Sequence, residues 1–212
     1  MNDIGELDAV IIRNITEIEQ GYDRIHDEIE KRLDTECAKI FRQNAKKHGW
    51  IAQATSLNDD FWMTKREWQL EEGPAEESDH YLTIAIEANS NGPDVSWAQT
   101  FVGGQGSQLV LAVSSDLFTS AKWFRFLKDG EANKLVRKIV GASDSKVTFD
   151  PANKHEPFAR PVKIDQEELA RAFAGEIEFE EALMPLEKAL HEVLELEEML
   201  EKMVKLIRKA QV

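Results

Sequence analysis

The sequence predicts an α+β fold, with a central antiparallel β-meander flanked by long N- and C-terminal amphipathic, coiled-coil-like helices. Three observations carry this reading. Apolar residues recur at helical spacing at both ends of the chain. The middle stretch alternates with period two. The connections within that stretch are too short for the crossover helices a parallel sheet needs.

The first element is a helix over residues 3–48. Ile11, Ile15, Ile18, Tyr22, Ile25 and Ile29 follow one another at alternating four- and three-residue steps, with charges between them, which is an a/d seam. Leu33, Cys37 and Ile40 continue it with one extra four-residue step, a stutter that locally unwinds a supercoil. Gly21 costs this helix about 1 kcal/mol relative to alanine. Lys46, Lys47 and His48 suit the negative end of the helix dipole, and Gly49 ends it.

Residues 50–113 form the expected sheet. Strands are read at 50–55, at 61–70 with Trp62 and Trp68 on one face, and at 80–88. Residues 95–102 and 108–113 read as an antiparallel hairpin closed by the glycine-rich turn 103–107. Residues 117–140 carry two helices split at Asp129-Gly130, and 146–149 and 158–164 read as short strands. Asp165 with Glu168 has the spacing of a helix-capping box, and Gly175 closes that short helix. This gives one α+β domain over 1–175.

Residues 176–212 are expected to form a terminal amphipathic helix that packs on the first helix or on a second subunit. Leu186, Val193, Leu200 and Ile207 recur every seven residues, and Pro185 belongs in the first turn.

Composition removes several classes of function. With 40 acidic against 26 basic side chains the formal charge is −14, which repels nucleic-acid phosphate and anionic membranes alike. No run of about 18 apolar residues exists, so no membrane span is expected. Cys37 is the one cysteine, which rules out a disulfide scaffold. The acidic N-terminus lacks the features of a secretory signal, and a cytoplasmic location is expected.

No motif specifies a reaction, and no cofactor or metal is expected. The histidines at 26, 48, 80, 155 and 191 show no paired ligand spacing. The glycines at 103, 104 and 106 precede an apparent strand, not the Lys-Ser/Thr and helix of a phosphate loop. Cys37 sits at a seam position and reads as core, as do most of the five tryptophans. Asp59, Asp60 and Glu87 are the acids nearest to a metal-dependent nuclease pattern, but the required acid-x-Lys is missing after Glu87.

The expected function is therefore that of a non-catalytic, acidic interaction or assembly protein working through protein–protein contacts. A homodimer held by Ile11, Ile15, Ile18 and Ile25 with Leu186, Val193, Leu200 and Ile207 is the first form of this reading. A basic protein partner is the second. Residues 176–201 hold ten Glu and a single Lys or Arg, Lys188, so an acidic ridge through Glu192, Glu195 and Glu198 could imitate nucleic acid and inhibit a DNA-handling enzyme. The remaining alternative is a nuclease-like enzyme, or an inactive relative, using Asp59, Asp60 and Glu87.

Overall fold

Strands β1 (Ile51–Ala54), β2 (Phe61–Thr64), β3 (Thr83–Asn89), β4 (Gln108–Ser114), β5 (Thr148–Phe149) and β6 (Phe158–Val162) form an antiparallel sheet in the order β1-β2-β3-β4-β6-β5. The computed structural model describes residues 3–59, 61–74, 77–89, 96–142, 146–153 and 156–210. Alternation along β3 and β4 puts Ile84, Ile86, Leu109, Leu111 and Val113 on one face, where all are buried. The register puts Ala85, Glu87, Val110 and Ala112 on the other. The fold class is the α+β arrangement read from the sequence.

The apolar face is covered by helices. A helical run extends from Asp3 to His48 as α1 (Asp3–Arg13), α2 (Ile15–Arg24), a π-helical turn (Ile25–Ile29) and α3 (Glu30–His48). Gly49 ends it in the left-handed conformation, φ 72°, which a glycine adopts without strain. Leu33, Cys37, Ile40 and Phe41 on α3 are buried, and α3 packs on β1 and β2. Burial pushes the Cys37 thiol far up, as a core residue requires.

Residues 97–101 correct the sequence reading. They form a helix, α4 (Trp97–Phe101), not the first strand of a hairpin, and Val95 lies outside the described residues. Ser96 and Gln99 cap its start reciprocally, side chain to backbone in both directions. Strand β4 pairs instead with β3 and β6, and β6 lies between β4 and β5, so the sheet is not a simple meander at that edge. The strand expected at 61–70 ends at Thr64 and gives way to a 3-10 turn (Arg66–Trp68). Trp68 consequently turns into the core against Trp50, at 4.9 Å between rings, while Trp62 stays half-buried over His80.

Helices α5 (Ser120–Lys128) and α6 (Gly130–Val140) divide at Asp129-Gly130 as read. Asp165 caps α7 (Gln166–Phe173) by accepting from the Glu167 and Glu168 N–H groups. The C-terminal stretch is not one helix. It comprises α8 (Phe179–Ala182), α9 (Met184–Leu194) and α10 (Glu197–Ala210), broken at Glu195-Leu196. Helix α9 packs on α3 and β6, and α10 packs on α6. Leu186, Val193, Leu200 and Ile207 are fully buried in the same core as Leu33 and Ile84. Their seven-residue row is therefore occupied within the chain, which removes the C-terminal half of the expected dimer seam. Among the described residues no helix is long and apolar enough to cross a membrane.

Candidate interaction surface at the π-helical turn

The N-terminal half of the seam behaves in the opposite way. Leu7, Val10, Ile11, Ile15, Ile18 and Tyr22 are all exposed, Ile18 to 46% and Tyr22 to 62%, and α2 contains no buried residue. Helices of this length are marginal in water without a packed face. Helices α1 and α2 thus form an arm whose apolar seam is open. Around it the charge is lopsided, with eight acidic residues and two arginines over positions 3–28.

The arm joins the body at the π-helical turn, where the helix takes a wider winding and changes phase. Ile25 and Ile29 become half-buried there, and Glu30, the next residue, is buried. One Glu30 oxygen accepts the Trp97 backbone N–H at 2.9 Å, and the other lies 2.8 Å from His26 Nδ1. Tyr22 meets the His26 ring edge-on at 4.5 Å. Tyr22, His26, Glu30, Asn58 and Trp97 line a cleft of about 380 Å³, with Ile25 as its apolar corner. Ile25 also opens onto a second, apolar groove of about 380 Å³ formed with Ile29, Leu33, Val102, Leu169 and Phe173. Seam and cleft therefore share Tyr22, and cleft and groove share Ile25.

The acidic ridge is interrupted at Glu192. Glu192 turns inward to Arg160 at 2.7 Å and to Lys146 at 3.5 Å. Burial opposes its charge, but Arg160 and Lys146 outweigh it and hold the carboxyl below the ordinary range. Glu195 pairs with His191 at 3.2 Å, and Glu198 is exposed. Nearby Glu197 and Glu201 both grip Lys65, at 2.8 and 2.7 Å. The array expected to imitate nucleic acid is thus partly spent on internal ion pairs.

The acids weighed as a metal site lie only partly within the described residues. Asp59 is exposed and Asp60 lies outside the described residues. Glu87 is half-buried on the other sheet face, where burial raises its pKa. Glu156 is pushed up to about 8 by burial and by the charge of Glu87. Among the described residues no group of three or more His, Cys, Asp or Glu side chains could hold a metal ion. His80, buried, lies 2.8 Å from Asp116 through Nδ1, and its Nε2 has no hydrogen-bond partner. That nitrogen is itself shielded from solvent, and the Trp62 ring lies 4.5 Å away.

Comparison with known protein families, curated proteins and solved structures finds no match. Of the seam residues singled out from the sequence, Ile11, Ile15 and Ile18 lie exposed along the arm and Ile25 lies half-buried at its root. Sequence reading missed Glu30, Asn58 and Trp97, which three separate segments bring together. The four-residue spacing of His26 and Glu30 was the one local signal available.

Proposed function

We propose that this chain is a non-catalytic interaction module that docks a basic amphipathic helix along α1 and α2. The observation that carries this reading is the open seam from Leu7 to Tyr22 on a helix with no packed face of its own. Heptad-like spacing favours a helical partner, because knobs at three- and four-residue steps fit the holes of another helix. The arm's excess of acids favours a basic one. Pairing two copies through the arms would set those acids against each other, and the C-terminal row that was to complete a homodimer is buried. A reducing, cytoplasmic setting belongs to the same proposal, supported by the unpaired Cys37.

The test uses a designed heptad peptide with isoleucine and leucine on its seam and lysine on its flanks, beside an otherwise equal peptide with glutamate flanks. The full chain should be monomeric by light scattering. The lysine peptide should bind it with a gain in helical circular dichroism and an affinity that falls with salt. Ile15→Asp with Ile18→Asp should abolish binding while leaving the core intact. Equal binding of the two peptides, or no binding, overturns the basic-helix reading. So does a dimer that this double substitution dissolves, which would give the seam to a second copy.

A further inference from the structure

Glu30 is a buried carboxylate without a permanent counter-charge. Its side chain is 9% exposed, and its ion-pair partner among the described residues is His26, charged only when protonated. The basic residues nearest in sequence are committed elsewhere. Arg24 pairs with Glu28 at 3.1 Å, Lys31 with Asp27 at 3.3 Å and Arg32 with Glu36 at 2.9 Å. Buried charges are normally compensated, since a carboxylate leaves water at a large cost. Here the uncompensated group forms the wall of an open cleft.

The other walls suit a cation. Tyr22 and Trp97 supply aromatic surface, and a cation near such a ring is attracted to its electron-rich face. The Asn58 side chain adds polar lining. A guanidinium matches this set better than an ammonium, because it is planar, stacks on aromatic rings and can bridge both oxygens of a carboxylate. Tyr22 is also the last exposed member of the arm's seam, so whatever lies on the seam passes the mouth of the cleft.

We propose that the cleft walled by Tyr22, His26, Glu30 and Trp97 receives an arginine side chain of the helix that docks on the arm. The proposal rests on the docking reading above and specifies what the partner must carry: an arginine just beyond the end of its apolar seam. Glu30 supplies the counter-charge, Tyr22 and Trp97 the flat surfaces, and the apolar groove past Ile25 takes the partner's next apolar residue.

The test titrates Nα-acetyl-arginine amide into the full chain while following the Trp97 indole N–H by NMR. The neutral isostere Nα-acetyl-citrulline amide and Nα-acetyl-lysine amide serve as controls. The arginine compound should give a saturable shift, the lysine compound a weaker one and the citrulline compound none. Glu30→Gln should weaken arginine binding at least tenfold. Tyr22→Ala, at a position 62% exposed, should weaken it as well. The Ile15→Asp, Ile18→Asp variant should bind the arginine compound normally, so failure of the docking reading registers as lost peptide binding with this titration unchanged. No saturable shift, an equal response to citrulline, or a matching response to Mg²⁺ alone overturns the proposal.

Discussion

A 2.9 Å hydrogen bond joins the carboxylate of Glu30 to the backbone N–H of Trp97, across 67 positions of sequence. It ties the first turn after the π-helical segment to the first turn of α4. The orphan N–H at a helix start is thereby satisfied by a side chain from another helix. The same contact sets the spacing between the arm's root and the helix α4 that carries Trp97.

Removing that contact should be measurable. Glu30→Ala should lower stability by about 1–3 kcal/mol, the usual cost of a lost hydrogen bond to a charged group. Glu30→Gln, which keeps an acceptor for the Trp97 N–H, should lose less. Urea unfolding should show a shifted midpoint at unchanged slope. An unchanged midpoint in Glu30→Ala would mean the bond contributes nothing to the fold.

Glu156 should make the protein less stable as the solution becomes alkaline. Its folded pKa of about 8 lies above the ordinary 4.5, so between these values the folded state holds a proton that the unfolded state has released. Stability must then fall as pH rises through that window. Glu156→Gln should flatten the profile between about pH 5 and 8, and Glu87→Gln should bring the Glu156 midpoint down by removing the like charge. Carbon-detected NMR titration of the carboxyl reads the second effect directly. A Glu156 midpoint that stays put in Glu87→Gln would show that the two carboxylates do not interact.

Glutamates of the last two helices should divide sharply by their partners. Arg160 and Glu192 have side chains 12% and 11% exposed; removing Glu192 takes the carboxylate from Arg160, and removing Arg160 leaves Glu192 only Lys146, at 3.5 Å. Glu192→Gln or Arg160→Met alone should cost roughly 3–5 kcal/mol, with the double replacement by apolar residues recovering much of it. Glu198→Gln should stay within about 0.5 kcal/mol. Denaturation midpoints that do not separate Glu192 from Glu198 would contradict the internal pairing.

The two heptad-like rows should respond oppositely to truncation. Leu200→Ala and Ile207→Ala should each cost about 2–5 kcal/mol, because they empty a packed core. Ile15→Ala and Ile18→Ala should scarcely move global unfolding. Comparable losses at all four positions would mean that the arm packs on the body after all.

Legibility in the sequence follows the range of the interaction. The alternation of Ile84 and Ile86, the cap at Asp165 and the stop at Gly175 are local, and each was readable. Residues 95–102 misled because Trp97 and Phe101 look like strand residues, although the Ser96–Gln99 spacing of a capping box was present. The heptad row through Leu186 and Ile207 was visible as a period, but a period does not say whether its partner is another copy or the chain's own sheet. The Glu30 cleft left the weakest trace. It depends on a change of helical phase at Ile25–Ile29 and on residues 58 and 97 arriving from elsewhere.

Heat and denaturant should act on this chain in two compartments. The sheet and the helices α3 and α9 share one set of buried side chains and melt together, whereas α1 and α2 draw almost nothing from it. Amide hydrogens of the arm should exchange by fraying, far faster than those of β3 or α9. A ligand held by the arm's seam alone would slow that exchange yet leave the melting temperature of the core nearly unchanged, since the arm can stay helical in its partner's grip while the core unfolds. A screen that reads only the core's melting would therefore pass over a genuine partner of the seam, and hydrogen exchange over residues 5–24 would reveal it.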